Sequence, residues 1–225
     1  MVWGERTRAA ALAALACGGL VAVPSVAHAD GSKPPSAWAS AGKVDVTAGT
    51  DHLYMDSLAL CSVAGPKKNK SNGGSVGDLI KYGVADSDCG WTEQAGTYVA
   101  VGQARGSRFE TSILKQFGGP VITVRTFDVK CSTTALGSNG YVQFGAVEGF
   151  ATPDKIEPNT TVLIEGTEKE KPLARIVLNE VVVPEPADGS LTTTAIHITL
   201  FPAGDGPISG DIYAGSAGCD PYGRG

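Results

Sequence analysis

Acid–base chemistry has few places to start in this 225-residue chain. Of its three histidines, His28 falls in an Ala-rich N-terminal stretch that reads as a leader, which leaves His52 and His197 as candidate imidazole bases. His197 stands in LTTTAIHITLF and the polar pair Asn179-Glu180 in ARIVLNEVVV, with PEPADGS between the two runs. A Ser-His-Asp site needs a nucleophile on a strained turn, a base beside it and an acid that orients the base. No G-x-S-x-G supplies the first of these. A histidine inside a strand is more often a hydrogen-bonded residue on a half-buried face. His52, flanked by Asp51 and Asp56, reads as a surface residue.

Glycoside hydrolysis asks only for two carboxylates brought together by the fold. Glu148, Glu165 and Glu180 are candidates by type, although acidic residues on exposed strand faces need no such role. Trp38 and Trp91 are the tryptophans outside the leader. Trp91 follows Cys89-Gly90, which favours packing against a disulfide over an exposed ring that stacks on sugar. Asp86-Ser87-Asp88 and the pair Asp205/Asp211 offer oxygen ligands, but neither has the spacing of a full calcium cage. The expectation is that no residues form a catalytic, cofactor-binding or metal-binding set.

The elements that must position these residues are short strands. Glycine and proline are abundant, at 30 and 13 residues, and β-rich runs recur between turn signals with no convincing helical period. The runs are 97–104, 120–131, 141–150, 160–166, 174–183, 191–201 and 208–219, with two more within 37–62. That pattern predicts an all-β fold, an antiparallel β-sandwich with disulfides. The organisation expected is a signal peptide over 1–29, a flexible segment over 30–37 and one sandwich domain over 38–225. The least patterned stretch, Gly65–Gly90, reads as a long excursion.

ARIVLNEVVV and LTTTAIHITLF read as the two arms of a hairpin, turned by the prolines and Asp-Gly of PEPADGS. By period 2, Ile196, Ile198 and Leu200 share one face and Ala195, His197 and Thr199 the other. In the partner arm Ile176 and Leu178 oppose Val177 and Asn179, so Asn179 and Glu180 point opposite ways. These polar residues then read as fold signatures, with Asn179 and His197 bonding backbone where the hairpin meets a loop. Asn159-Thr160-Thr161 matches a glycosylation sequon, and also reads as a Pro-Asn turn entering a strand.

Arg6 and Arg8, the run AALAALACGGLVAVP and Ala27-His28-Ala29 form the three parts of a secretory signal, with cleavage expected after Ala29. Without Glu5, Arg6 and Arg8 the net charge moves from −5 to −6. That disfavours nucleic acid, which requires clustered cations. The cluster Lys67-Lys68-Asn69-Lys70 reads as a solvated loop. No membrane insertion is expected after cleavage.

Cys61, Cys89, Cys131 and Cys219 are an even set behind a signal, which reads as two disulfides. Three pairings are open, and grouping sequence neighbours favours Cys61–Cys89 with Cys131–Cys219. The loop-entropy account gives about 3–4 kcal/mol for the first and roughly 4.5 kcal/mol for the second.

VRTFDVKCSTTALGSNG, PNTTVLIEG, ARIVLNEVVVPEPADGSLTTTAIHITLF and GDIYAGSAGC follow one another in this order. The set resembles the choice-of-anchor P family of secreted actinobacterial proteins, over roughly Asp45–Cys219 and most specifically from Val121. The resemblance implies an extracellular module of uncharacterised function and names no catalytic residue. The Cys61–Cys89 segment departs from it, and no surface anchor is expected. The function expected is a non-enzymatic binding module with a cell-wall or other extracellular partner. The alternative is an extracellular hydrolase of polysaccharide with paired carboxylates.

Overall fold

A computed structural model describes residues 33–94, 96–135, 137–166 and 171–223. The signal peptide over 1–29 lies outside the described residues, as does the start of the segment expected to be flexible. Val, Ile, Thr and aromatic residues alternate with polar ones between Gly, Pro and Asx turns, and pleated ladders are what this pattern builds. In chain order the strands are β1 (Ser36–Ala48), β2 (Asp51–Leu58), β3 (Cys61–Ser62), β4 (Lys68–Ser71) and β5 (Gly74–Val76). Then come β6 (Ile80–Tyr82), β7 (Ala85–Gln94), β8 (Thr97–Thr111), β9 (Ile122–Thr134), β10 (Gly137–Phe144) and β11 (Val147–Glu148). The last are β12 (Thr160–Glu165), β13 (Pro172–Val182), β14 (Leu191–Leu200) and β15 (Ile208–Asp220). One 3-10 turn, Ile113–Phe117, joins β8 to β9.

Two antiparallel sheets pack face to face. The first runs β12-β13-β14-β15-β1-β2, with β3 also on β1. The second runs β10-β9-β8-β6-β5, with β7 on β8, β4 on β7 and β11 on β9. Two expectations are corrected. Gly65–Gly90 is not a structureless excursion: it holds the short strands β4, β5 and β6 and most of the ten-residue β7. Lys68 and Lys70 accordingly sit in a strand, opposite Asp88 and Asp86. The segment expected to be flexible to residue 37 is already strand at Ser36, and Ala37 is buried.

The interior is mainly aliphatic, with Ile80, Ile122, Ile176, Leu178 and Ile196 fully buried beside the aromatic Phe109. Cys61 pairs with Cys89 and Cys131 with Cys219. Each bond joins one sheet to the other, β3 to β7 and β9 to β15, so both act as staples through the core. Tyr82 makes a third link. From β6 its hydroxyl donates to the Tyr213 carbonyl of β15 at 2.8 Å. Its ring fills the space over Gly42, where a Cβ would fall 2.3 Å from Cε1. Burial pushes the Tyr82 phenol well above its ordinary range, so it remains a donor.

Candidate functional site

On the outer face of the first sheet, β13 supplies Glu180, β14 His197 and Thr199, and β15 Asp211 and Tyr213. In the ladders His197 lies opposite Val177 and Tyr213, and Thr199 opposite Arg175 and Asp211. Strict alternation from Leu178 would send Glu180 into the core. The pleat does not alternate there. Asn179 adopts a left-handed conformation at φ 51°, and Gly215, two strands away, does so at φ 70°. Across this row the core-facing positions change parity: Ile196, Ile198, Ile212 and Ala214 are buried on one side, Leu191, Thr193, Ala217 and Cys219 on the other. Glu180 thereby emerges beside His197.

The imidazole Nδ1 lies 2.9 and 3.1 Å from the two Glu180 oxygens, and Nε2 lies 2.8 Å from Asp211 Oδ1. Thr199 donates to the same Asp211 oxygen at 2.9 Å. The ring stacks on Tyr213 with centroids 4.4 Å apart, and its side chain is only 13% exposed. Burial by itself depresses the imidazolium. The hydrogen bonds and charges of Asp211 and Glu180 outweigh it and raise the pKa to about 9. The His197 hydrogen bond holds the Asp211 carboxyl below the usual carboxylate range. Burial, then the Asp211, Glu180 and Asp45 charges, push the Tyr213 phenol up to about 12.

At neutral pH, then, His197 is an imidazolium with both N–H groups donated. It has no lone pair to take a proton. The ring also fills the gap between Glu180 and Asp211, so these carboxylates do not flank a space that a glycosidic oxygen could enter. The cluster is a clamp across three strands, with one imidazolium held between two carboxylates. The expected backbone bonds of His197 are replaced by these side-chain bonds, because the turned pleat brings Glu180 within reach. Asn179 bonds outside the cluster, its main-chain carbonyl accepting the Asn159 N–H at 2.9 Å.

The polar face continues onto β1 and β2. Asp45 lies opposite Asp211 and bonds His52 Nε2 at 2.9 Å, with both side chains more than half exposed. His52 is thus the surface residue expected, although its partner is across the ladder rather than Asp51 or Asp56. The remaining carboxylates do not converge. Glu148 lies in the second sheet and Glu165 on β12 of the first. The aspartates considered for calcium are matched to cations: Asp86 with Arg105, Asp88 with Lys68 and Asp205 with Lys171. Among the described residues no group of three His, Cys, Asp or Glu is placed to hold a metal ion.

Trp91 does not pack away beside the disulfide. It is 44% exposed and meets Tyr98 edge-on at 5.3 Å. The sequon Asn159 uses its side chain to pair with the edge of β13. Its Oδ1 accepts the Val181 N–H at 2.8 Å and its Nδ2 donates to the Val181 carbonyl at 3.3 Å. Asp211 and Tyr213 were not legible as partners of His197, since only the β14–β15 register brings them there. Trp38, opposite Gly218 in the β1–β15 ladder, lines a cavity near the Cys131–Cys219 staple.

No helix among the described residues is long and apolar enough to cross a membrane. Comparison with protein-family models, with curated proteins and with solved structures returns no match for this chain.

Proposed function

We propose that the protein is a secreted, non-catalytic binding module that works at the cell envelope or in the extracellular space. The observation that carries this reading is the closure of the Glu180–His197–Asp211 cluster, whose acid and base groups are spent on one another. A hydrolytic centre needs such groups open to substrate. Two disulfides suit an oxidising compartment, the N-terminal sequence has the pattern of a secretory signal, and the resemblance to choice-of-anchor P domains points the same way.

Fractionation of producing cells, with a salt wash and blotting for the chain without its leader, tests this. Retention in the wall fraction is the expected result. A protein found wholly in the medium, with a polysaccharide-hydrolysing activity that Glu180→Gln abolishes, would overturn the reading in favour of the hydrolase.

A further inference from the structure

We propose that the concavity built on Trp38 and Gly218 binds a neutral pyranose ring, the unit through which the module recognises its target; this rests on the binding-module reading above. Trp38 on β1 faces Gly218 on β15, which in turn faces Thr192 on β14. A Cβ on Gly218 would fall 2.3 Å from the indole Nε1 and 2.6 Å from Cε2. Only glycine therefore lets the indole lie across the strand. Trp38 is 38% exposed, so part of a large aromatic surface is held in place and left open.

That surface lines a cavity of about 410 Å³, within the size range of small-molecule sites. Ser36, Ser62, Ser190 and Thr192 bring hydroxyl-bearing side chains to the lining. Asp188 is fixed at the same place, its Oδ1 accepting the Ser190 N–H at 2.9 Å and the Ser190 hydroxyl at 2.6 Å. Cys219 is part of the wall, so the Cys131–Cys219 staple braces it. An apolar ring with hydroxyls and a carboxylate around it complements a pyranose, whose C–H face is apolar and whose rim is made of hydroxyls. The charged residues in the lining, Asp188 and Asp220, are both acidic. With acidic and no basic side chains among the lining residues, the concavity favours a neutral sugar over an anionic one.

The test is calorimetric titration of the oxidised, secreted protein with cellotetraose, chitotetraose and xylotetraose, and with a tetragalacturonate and a lysine-rich peptide as contrasts. One of the neutral oligosaccharides is expected to bind. Trp38→Ala and Gly218→Ala should each weaken it by about tenfold or more. Trp38→Phe should weaken it less, and Trp91→Ala should change it by no more than about twofold. Near-ultraviolet dichroism separates loss of binding from loss of fold in the glycine variant.

The proposal is overturned if none of the three neutral tetrasaccharides binds at millimolar concentration. It is also overturned if binding follows Trp91 instead of Trp38, or if only the peptide or the tetragalacturonate binds. Wall fractionation of Trp38→Ala separates the two readings. A variant still retained on walls would remove this site and leave the binding module standing. Tetrasaccharide binding by a protein never retained on walls would remove the envelope reading and leave the site.

Discussion

His197 carries a raised imidazole pKa, and its consequence is a stability that depends on pH. Its folded pKa of about 9 lies above its ordinary value of 6.5. The stabilisation is therefore complete below about pH 6.5 and is lost as pH rises through about 9. The Asp211 carboxyl shifts the other way, so its share is present above its ordinary value of 3.8 and is lost as pH falls through its lowered folded pKa. Comparison with His197→Gln removes the background of other titrating groups. The urea stability of the wild type should exceed that of the variant near pH 6 by about 2–3 kcal/mol more than near pH 10. A gap unchanged across that range would mean the imidazolium is not the species that binds the two carboxylates. The Asp45–His52 pair is largely exposed, and surface pairs of this kind contribute little.

At the scale of elements, the row through Asn179 and Gly215 decides which side chains meet on the outer face. A β-branched residue tolerates positive φ poorly, whereas glycine adopts it freely. Asn179→Val should destabilise the protein by about 1–3 kcal/mol and Asn179→Gly by much less, measured by denaturant unfolding. The valine variant should also lose the raised His197 pKa, read by NMR titration, if the turned pleat is what delivers Glu180. This row marks the limit of what the sequence made legible. Period-2 runs located most of the strands, and Pro-Glu-Pro-Ala-Asp-Gly announced the turn between β13 and β14. The change of pleat left only a lone Asn in an apolar run, and Asn at φ 51° is indistinguishable on paper from Asn at a strand position. The β4–β7 region was missed because β4, β5 and β6 are only three or four residues long and the first half of β7 is mostly polar. Trp91 was misjudged because nearness to Cys89 in sequence does not fix which side of the ladder covers the ring.

At the scale of the molecule, the two staples close loops of unequal size, with cysteines 28 and 88 residues apart. On loop entropy, replacing Cys131 and Cys219 by alanine should cost roughly 4.5 kcal/mol and replacing Cys61 and Cys89 about 3–4 kcal/mol, measured by thermal or urea unfolding. Equal losses would indicate that the wall of the core, rather than the length of the closed loop, sets the cost. The even cysteine count pointed to these bonds, but their passage from sheet to sheet needed the topology. That passage also fixes how tension travels. Ser36 and Asp220 lie side by side at the open ends of β1 and β15. A pull on Asp220 reaches Cys219 within one residue and crosses the sulfurs to Cys131. A pull on Ser36 runs along β1 and β2 to Cys61 and crosses to Cys89. The segments 62–88 and 132–218 are off this load path, and with them Glu180, His197 and Asp211. β1, which carries Trp38, is on it and would peel first. Force on the chain ends would thus loosen the Trp38 concavity while the clamp beneath the opposite stretch of the sheet stayed shut, so that a grip made through that concavity would let go before the fold did.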